Sequence, residues 1–183
     1  NKDDVKGVED KLVSVASIED ILNQKDISLC GKEYNKVEIV PGDGYELIRL
    51  GDIYDVLYGD KNELHETNIK EYLAIGGGSN IHNLKKTNKW NTKEETIIIS
   101  RSGSPGHVNM FNTKTLVGSF AFTLIPKIET NNSYNFSFLK SYQNELIAMG
   151  SGSVQDNLNR EVLKNVNIPI PKEVSPDTLT RKD

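Results

Sequence analysis

The chain is poor in cysteine, in aromatic residues and in long apolar runs. Cys30 is the one cysteine among 183 residues, which excludes an intrachain disulfide and any zinc cluster built on cysteine. It reads as a small buried or half-buried apolar residue. Aromatic residues make up only 7%. No apolar stretch approaches membrane-spanning length, and no basic start leads into an apolar core. A cytoplasmic, soluble protein with no membrane partner is the expectation. Catalytic signatures are missing as well. There is no GxxxxGK[ST] loop, and Gly76-Gly77-Gly78 lacks the spacing of a dinucleotide-binding turn. His65, His82 and His107 lie scattered without metal-ligand spacing, so no metal site is expected. No nucleophile elbow marks a serine, and no catalytic residue is assigned.

What is present is an uneven charge pattern. The net charge is −4, which counts against nucleic-acid binding, since such domains usually carry a basic excess. Yet residues 1–71 hold most of the acids, and Lys85, Lys86, Lys89 and Lys93 cluster in the middle. The pattern leaves room for a local basic face on a mildly acidic protein.

Three segments are expected: a helical segment over 1–40, a main domain over 41–172 and a flexible tail over 173–183. Ser17 with Asp20 three positions on suggests a capped helix bearing Ile18, Ile21 and Leu22 on one face. Val40-Pro41-Gly42-Asp43-Gly44 is the boundary turn. Beyond it, Leu50, Ile53 and Leu57 suit either a helical turn or a strand edge. Strands are expected at Glu71–Ile75, Thr96–Ser100, His107–Phe111, Ser119–Ile125 and Val166–Ile170. Helices are expected at Tyr134–Met149, ended by a left-handed glycine in Gly150-Ser151-Gly152-Ser153, and at Gln155–Lys164. The polar stretch after Gly78 reads as a long loop anchored by Trp90. The fold class is therefore mixed α+β, a twisted sheet flanked by helices and preceded by a short helical segment.

The segment Thr96–Gly106, TIIISRSGSPG, carries the most information. Its apolar run predicts a strand buried on both faces. The run breaks into a turn that holds one guanidinium, three hydroxyls and free backbone N–H groups, a set suited to a polyanion. Arg101 suits a guanine edge or a phosphate, and equally a salt bridge tying the turn to the sheet. Ser102 and Ser104 suit phosphate donors or plain turn residues. Lys85, Lys86 and Lys89 suit backbone tracking or a solvated face. Asn83 and Asn88 carry the donor–acceptor pair that reads adenine, and also suit turns. Gln155 suits a base or phosphate contact at a helix start, or a cap.

Read in order, Leu50-Gly51-Asp52-Ile53, the strand with SRSGSPG, the turn Gly150-Ser151-Gly152-Ser153-Val154-Gln155 and Ile168-Pro169-Ile170-Pro171 resemble the target recognition domain of type I restriction–modification specificity subunits. The resemblance covers about Tyr45–Pro171. Upstream, a short helix followed by Asp26-Ile27-Ser28-Leu29 and Glu33-Tyr34 resembles the C-terminal tail of N6-adenine DNA methyltransferases. The resemblance implies sequence-specific binding of double-stranded DNA. It also implies partners: a methyltransferase subunit or fused domain, which brings S-adenosylmethionine, and a motor–nuclease subunit. The chain itself is expected to carry no cofactor and no catalytic centre. It lacks the Asn/Asp-Pro-Pro-aromatic signature of the methyltransferases and, after Pro171, the long helix that usually follows in the family. An assembly module with little DNA contact is the rival reading, favoured by the acidic balance.

Overall fold

The structure is a computed structural model and describes residues 17–22, 38–60, 72–76, 85–151 and 156–172. Cys30, His65 and His82 lie outside them. Two compact units divide the chain, residues 1–38 and 39–183. In the first, helix α1 spans Ile18–Leu22, with Ile18 and Leu22 exposed.

The second unit begins at a turn in which the Tyr45 N–H donates to the Gly42 carbonyl. It then runs through β1 (Tyr45–Arg49), α2 (Leu50–Ile53), β2 (Tyr54–Tyr58), β3 (Tyr72–Ile75), β4 (Lys85–Thr87) and β5 (Ile97–Ser100). There follow β6 (Val108–Met110), β7 (Thr115–Val117), β8 (Ala121–Pro126), α3 (Asn132–Ser141), α4 (Gln143–Gly150), α5 (Arg160–Lys164) and β9 (Asn167–Pro171). Both expectations for residues 50–57 are thus met in turn, a helical turn and then a strand. The strands are divided among three sheets. Four antiparallel strands lie in the order β2-β8-β5-β6, three in the order β4-β3-β7 with β3 and β7 parallel, and β1 pairs with β9 alone.

The isoleucine run explains why β5 sits centrally. Ile97 and Ile99 face the main core, with Leu50, Tyr54, Phe122, Leu139, Leu146 and Ile168. Ile98 faces the other side, against Ile75 and Val117 of the three-stranded sheet. A strand covered on both faces needs a continuous apolar run rather than alternation. In β9 the alternation is clean: Ile168 and Ile170 are buried, while Pro169 and Pro171 are half-exposed. Proline is tolerated because β9 is paired on one side only. The Tyr134 hydroxyl takes the Pro169 carbonyl, at 2.7 Å.

Four expectations are corrected. The helix expected over 134–149 is broken at Tyr142, between α3 and α4. Gln143 Oε1 accepts from the Val108 N–H and from Lys140 Nζ, which ties the junction to β6. Gly150 is the last residue of α4 and is not left-handed, and its successor Ser151 is extended. Gly150 serves close approach instead: a Cβ there would lie 2.6 Å from Pro105 Cβ. The last helix begins at Arg160, capped by Asn159, rather than at Gln155. Residues 157 and 158 are drawn into the sheet end, where Asn157 bridges Ser102 and the Leu158 N–H donates to the Arg101 carbonyl. Finally, the long polar loop contains strand β4, and Trp90 is 48% exposed rather than an anchor. Anchoring falls to Asn91 and Thr92, whose side chains trade hydrogen bonds with the backbones of Val117 and Thr115.

Candidate nucleic-acid interface

Strands β2 and β5 both pair antiparallel with β8. Their C-terminal ends therefore meet the start of β8 at one end of the sheet. Tyr58, Ser100-Arg101 and Phe120-Ala121 converge there. The Arg101 and Ser102 N–H groups donate to the Phe120 carbonyl at 2.8 and 3.2 Å, and the Leu158 N–H donates to the Arg101 carbonyl at 2.8 Å. The reversal beyond is closed by Gly106 N–H to Ser100 O at 2.8 Å and Ser100 N–H to His107 O at 2.9 Å. Gly103 and Gly106 take φ of 83° and 85°, the left-handed region that glycine enters without steric cost. Backbone bonding thus fixes where Arg101 leaves the sheet.

The side chains gather on one ring. The Arg101 guanidinium lies 5.5 Å from the Tyr58 ring centroid, and the Arg160 guanidinium lies 5.2 Å from the same centroid. Tyr58 is 49% exposed and leans on buried Phe122, with ring centroids 5.2 Å apart. Phe120 beside it is also exposed. Arg160 has a loose partner in Glu161, at 3.4 Å. Glu161 is held more closely by Lys164, whose hydrogen bond keeps its carboxyl below the ordinary value. Among the described residues Arg101 meets no carboxylate, so the salt bridge that sequence left open for it has no partner among them. Its Nε is buried with no acceptor, and the Ser100 and Ser102 hydroxyls are buried without partners as well.

Sequence-selected residues are only partly brought together here. Arg101 and Ser102 belong to the cluster. Ser104 lies on the same turn, half-buried, with its carbonyl 3.0 Å from His107 Nδ1. Lys85 and Lys86 lie on β4, paired with Ala74 and Leu73 of β3. Asn88 and Lys89 follow on an exposed turn, with the Lys89 N–H on Thr87 Oγ1. Asn83 and Gln155 lie outside the described residues. Tyr58 and Arg160 were missed by sequence reasoning. Neither sits in a motif, and each joins Arg101 only through strand order and the placement of α5. Charge segregation could have hinted at Arg160: residues 72–172 hold eleven Lys and Arg against six Asp and Glu. Elsewhere, Lys114 Nζ sits 4.3 Å over the exposed Trp90 ring, a second cation–aromatic pair. No helix among the described residues is long and apolar enough to cross a membrane, and no group of His, Cys, Asp and Glu among them could hold a metal ion.

Comparison with known proteins agrees with this architecture. The family model of the type I restriction modification DNA specificity domain matches residues 42–175. A Mycoplasma pneumoniae protein named as a type I specificity subunit is 27% identical over 132 residues, covering 68% of this chain and 34% of that protein. Among solved structures, the type I restriction–modification S subunit of M. genitalium superposes with a TM-score of 0.61 at 24% identity, over 73% of this chain and 36% of that one. The HsdS subunit of Thermoanaerobacter tengcongensis gives 0.55 at 18% identity, over 75% and 36%. The chain thus spans about a third of the length of these relatives. With the family model matching well over half of it, the chain belongs to the type I restriction–modification DNA specificity domain family.

Proposed function

We propose that this domain binds double-stranded DNA sequence-specifically and directs an N6-adenine methyltransferase, and with it a motor–nuclease, to the bound site. The methyltransferase brings S-adenosylmethionine, and this chain supplies recognition rather than chemistry. The observation that carries the reading is the cationic end of the four-stranded sheet, where Arg101 has no carboxylate partner among the described residues and Arg160 stands on the same exposed ring. A guanidinium without a carboxylate is free to take an external anion or a base edge. Family membership points the same way. Lys85, Lys86, Asn88 and Lys89, on or just after β4, and Ser102 and Ser104 of the Arg101 turn are the further candidate contacts. Asn83 and Gln155 complete the set by sequence.

The test is methylome sequencing of cells that express the full-length protein with its methyltransferase. A single methylated adenine motif, absent from cells lacking this chain, is the expected result. An unchanged methylome overturns the reading. A second reading, an assembly module with little DNA contact, is favoured by the net charge of −4 and by Tyr45 and Leu47 exposed on β1. It predicts that the chain co-purifies with the methyltransferase but leaves duplex DNA unbound.

A further inference from the structure

We infer that Arg101, Tyr58 and Arg160 form an anchor for the DNA sugar–phosphate backbone, not a base-reading element. The inference rests on the reading that this domain binds duplex DNA and assigns the chemistry of one part of that surface. Three observations lead to it. First, two guanidiniums, from the β5 turn and from the start of α5, converge on one exposed tyrosine ring. A guanine edge takes a single guanidinium. Two cations gathered on one ring match the repeating charge of successive phosphates. Second, Arg101 is not held out on a protruding element. It is half-buried, its Nε is shut away from solvent, and its backbone is fixed by two hydrogen bonds, to Phe120 and from Leu158. That leaves its terminal nitrogens for a ligand, at the end of a sheet. A groove floor is reached by a helix or ribbon, whereas a backbone is reached by a surface. Third, the ring supplies what two like charges need. The face of Tyr58 attracts both guanidiniums and offsets part of their repulsion, so the pair is arranged before DNA arrives.

Arg160 is the decisive position, because its side chain is partly exposed and its nearby partner Glu161 is shared with Lys164. Loss of its charge therefore disturbs little of the fold. The full chain is titrated with a mixed-sequence duplex over a range of salt, and binding sites are selected from a randomised duplex library. Wild type, Arg160→Gln, Arg101→Gln, Tyr58→Leu and Tyr58→Phe are compared, with thermal melts to confirm folding. Arg160→Gln is expected to weaken every duplex alike, roughly tenfold at low salt. It should lower the log–log salt slope by about one unit and leave the selected sequence unchanged. Arg101→Gln should do the same. Tyr58→Leu should weaken binding without altering sequence preference, and Tyr58→Phe, which keeps the aromatic face, should restore it. A change in the selected sequence with Arg160→Gln overturns the inference in favour of base reading. Wild-type binding that depends on salt, joined to an unchanged affinity and slope in a folded Arg160→Gln protein, also overturns it, by placing the cluster outside the interface. Wild type that binds no duplex at any salt overturns the DNA-binding reading itself.

Discussion

Gly103 and Gly106 share a left-handed backbone but not their surroundings. Gly103 is exposed at the tip of the turn. A Cβ at Gly106 would lie 2.4 Å from the Ile147 backbone nitrogen, inside α4. The two therefore differ in what a side chain would cost. Gly103→Val meets the unfavourable φ, about 1–2 kcal/mol. Gly106→Val adds a clash with helix backbone that cannot step aside, and about 4 kcal/mol or more is expected. Chemical denaturation of the two variants should show that order, and equal losses would contradict it. Tyr54 offers a test by pH. Its hydroxyl donates to Asn132 Oδ1 at 2.8 Å and accepts from Asn135 Nδ2 at 2.7 Å. Burial pushes its pKa up from 10.0 to about 12. The folded state thus holds this proton more tightly than the unfolded chain. The corresponding stability is complete below pH 10.0 and is lost as the pH climbs toward about 12. The loss amounts to about 2–3 kcal/mol. Tyr54→Phe should flatten that alkaline decline. At neutral pH it should cost about 1–3 kcal/mol, because the two asparagine side chains lose their common partner.

Elements whose identity rests on local pattern were legible in the sequence. The three isoleucines of β5 and the alternating Ile-Pro of β9 each carry their own burial pattern, and the structure places them accordingly, whereas residues 50–57 suited a helical turn or a strand edge equally. Elements set by tertiary partners were not. Strand β7 is three residues long and depends on hydrogen bonds from the side chains of Asn91 and Thr92. The break at Tyr142 depends on Gln143 reaching β6. The short α5 exists because residues 157 and 158 are taken up by Ser102 and Arg101 before the helix begins. The candidate site follows the same rule. Arg101 stood out because its own turn is unusual, whereas Tyr58 and Arg160 became visible only once strand order was known. One local device at the site can be tested directly. Asn159 Oδ1 accepts from the Glu161 N–H at 2.8 Å and so caps the helix that carries Arg160. Asn159→Ala should cost about 1 kcal/mol of stability. It should also weaken duplex binding, since the start of α5 loosens where Arg160 leaves it. A stability loss with full DNA affinity would mean that Arg160 does not need this cap to reach its ligand.

The chain segregates charge along its length, and its second unit closes on itself. Residues 1–40 hold nine Asp and Glu against six Lys and Arg, while residues 72–172 carry the basic excess. The overall acidity is therefore a poor guide to the surface that meets a ligand. Closure comes from β1 and β9, paired over five residues from Tyr45 with Pro171 to Arg49 with Asn167. The main core draws its buried residues from Leu50 through Ile170. These facts predict two different outcomes for truncation. Removing residues 1–38 takes away the first compact unit and leaves β1, the Gly44 turn and every residue of that core. The shortened protein should melt cooperatively within a few degrees of the full chain and keep most of its duplex affinity. Removing residues 1–50 takes β1 and Leu50 as well. It leaves β9 without a strand partner and deletes a fully buried leucine, a change that alone costs about 2–5 kcal/mol. Loss of the ribbon adds to that in a domain whose total stability is of order 5–15 kcal/mol. The longer deletion should therefore aggregate or melt without cooperativity. Thermal melts of both truncations decide the matter. A collapsed 39–183 protein would show that residues 1–38 belong to the recognition fold, and a cooperatively folded 51–183 protein would show that the ribbon does not hold it closed.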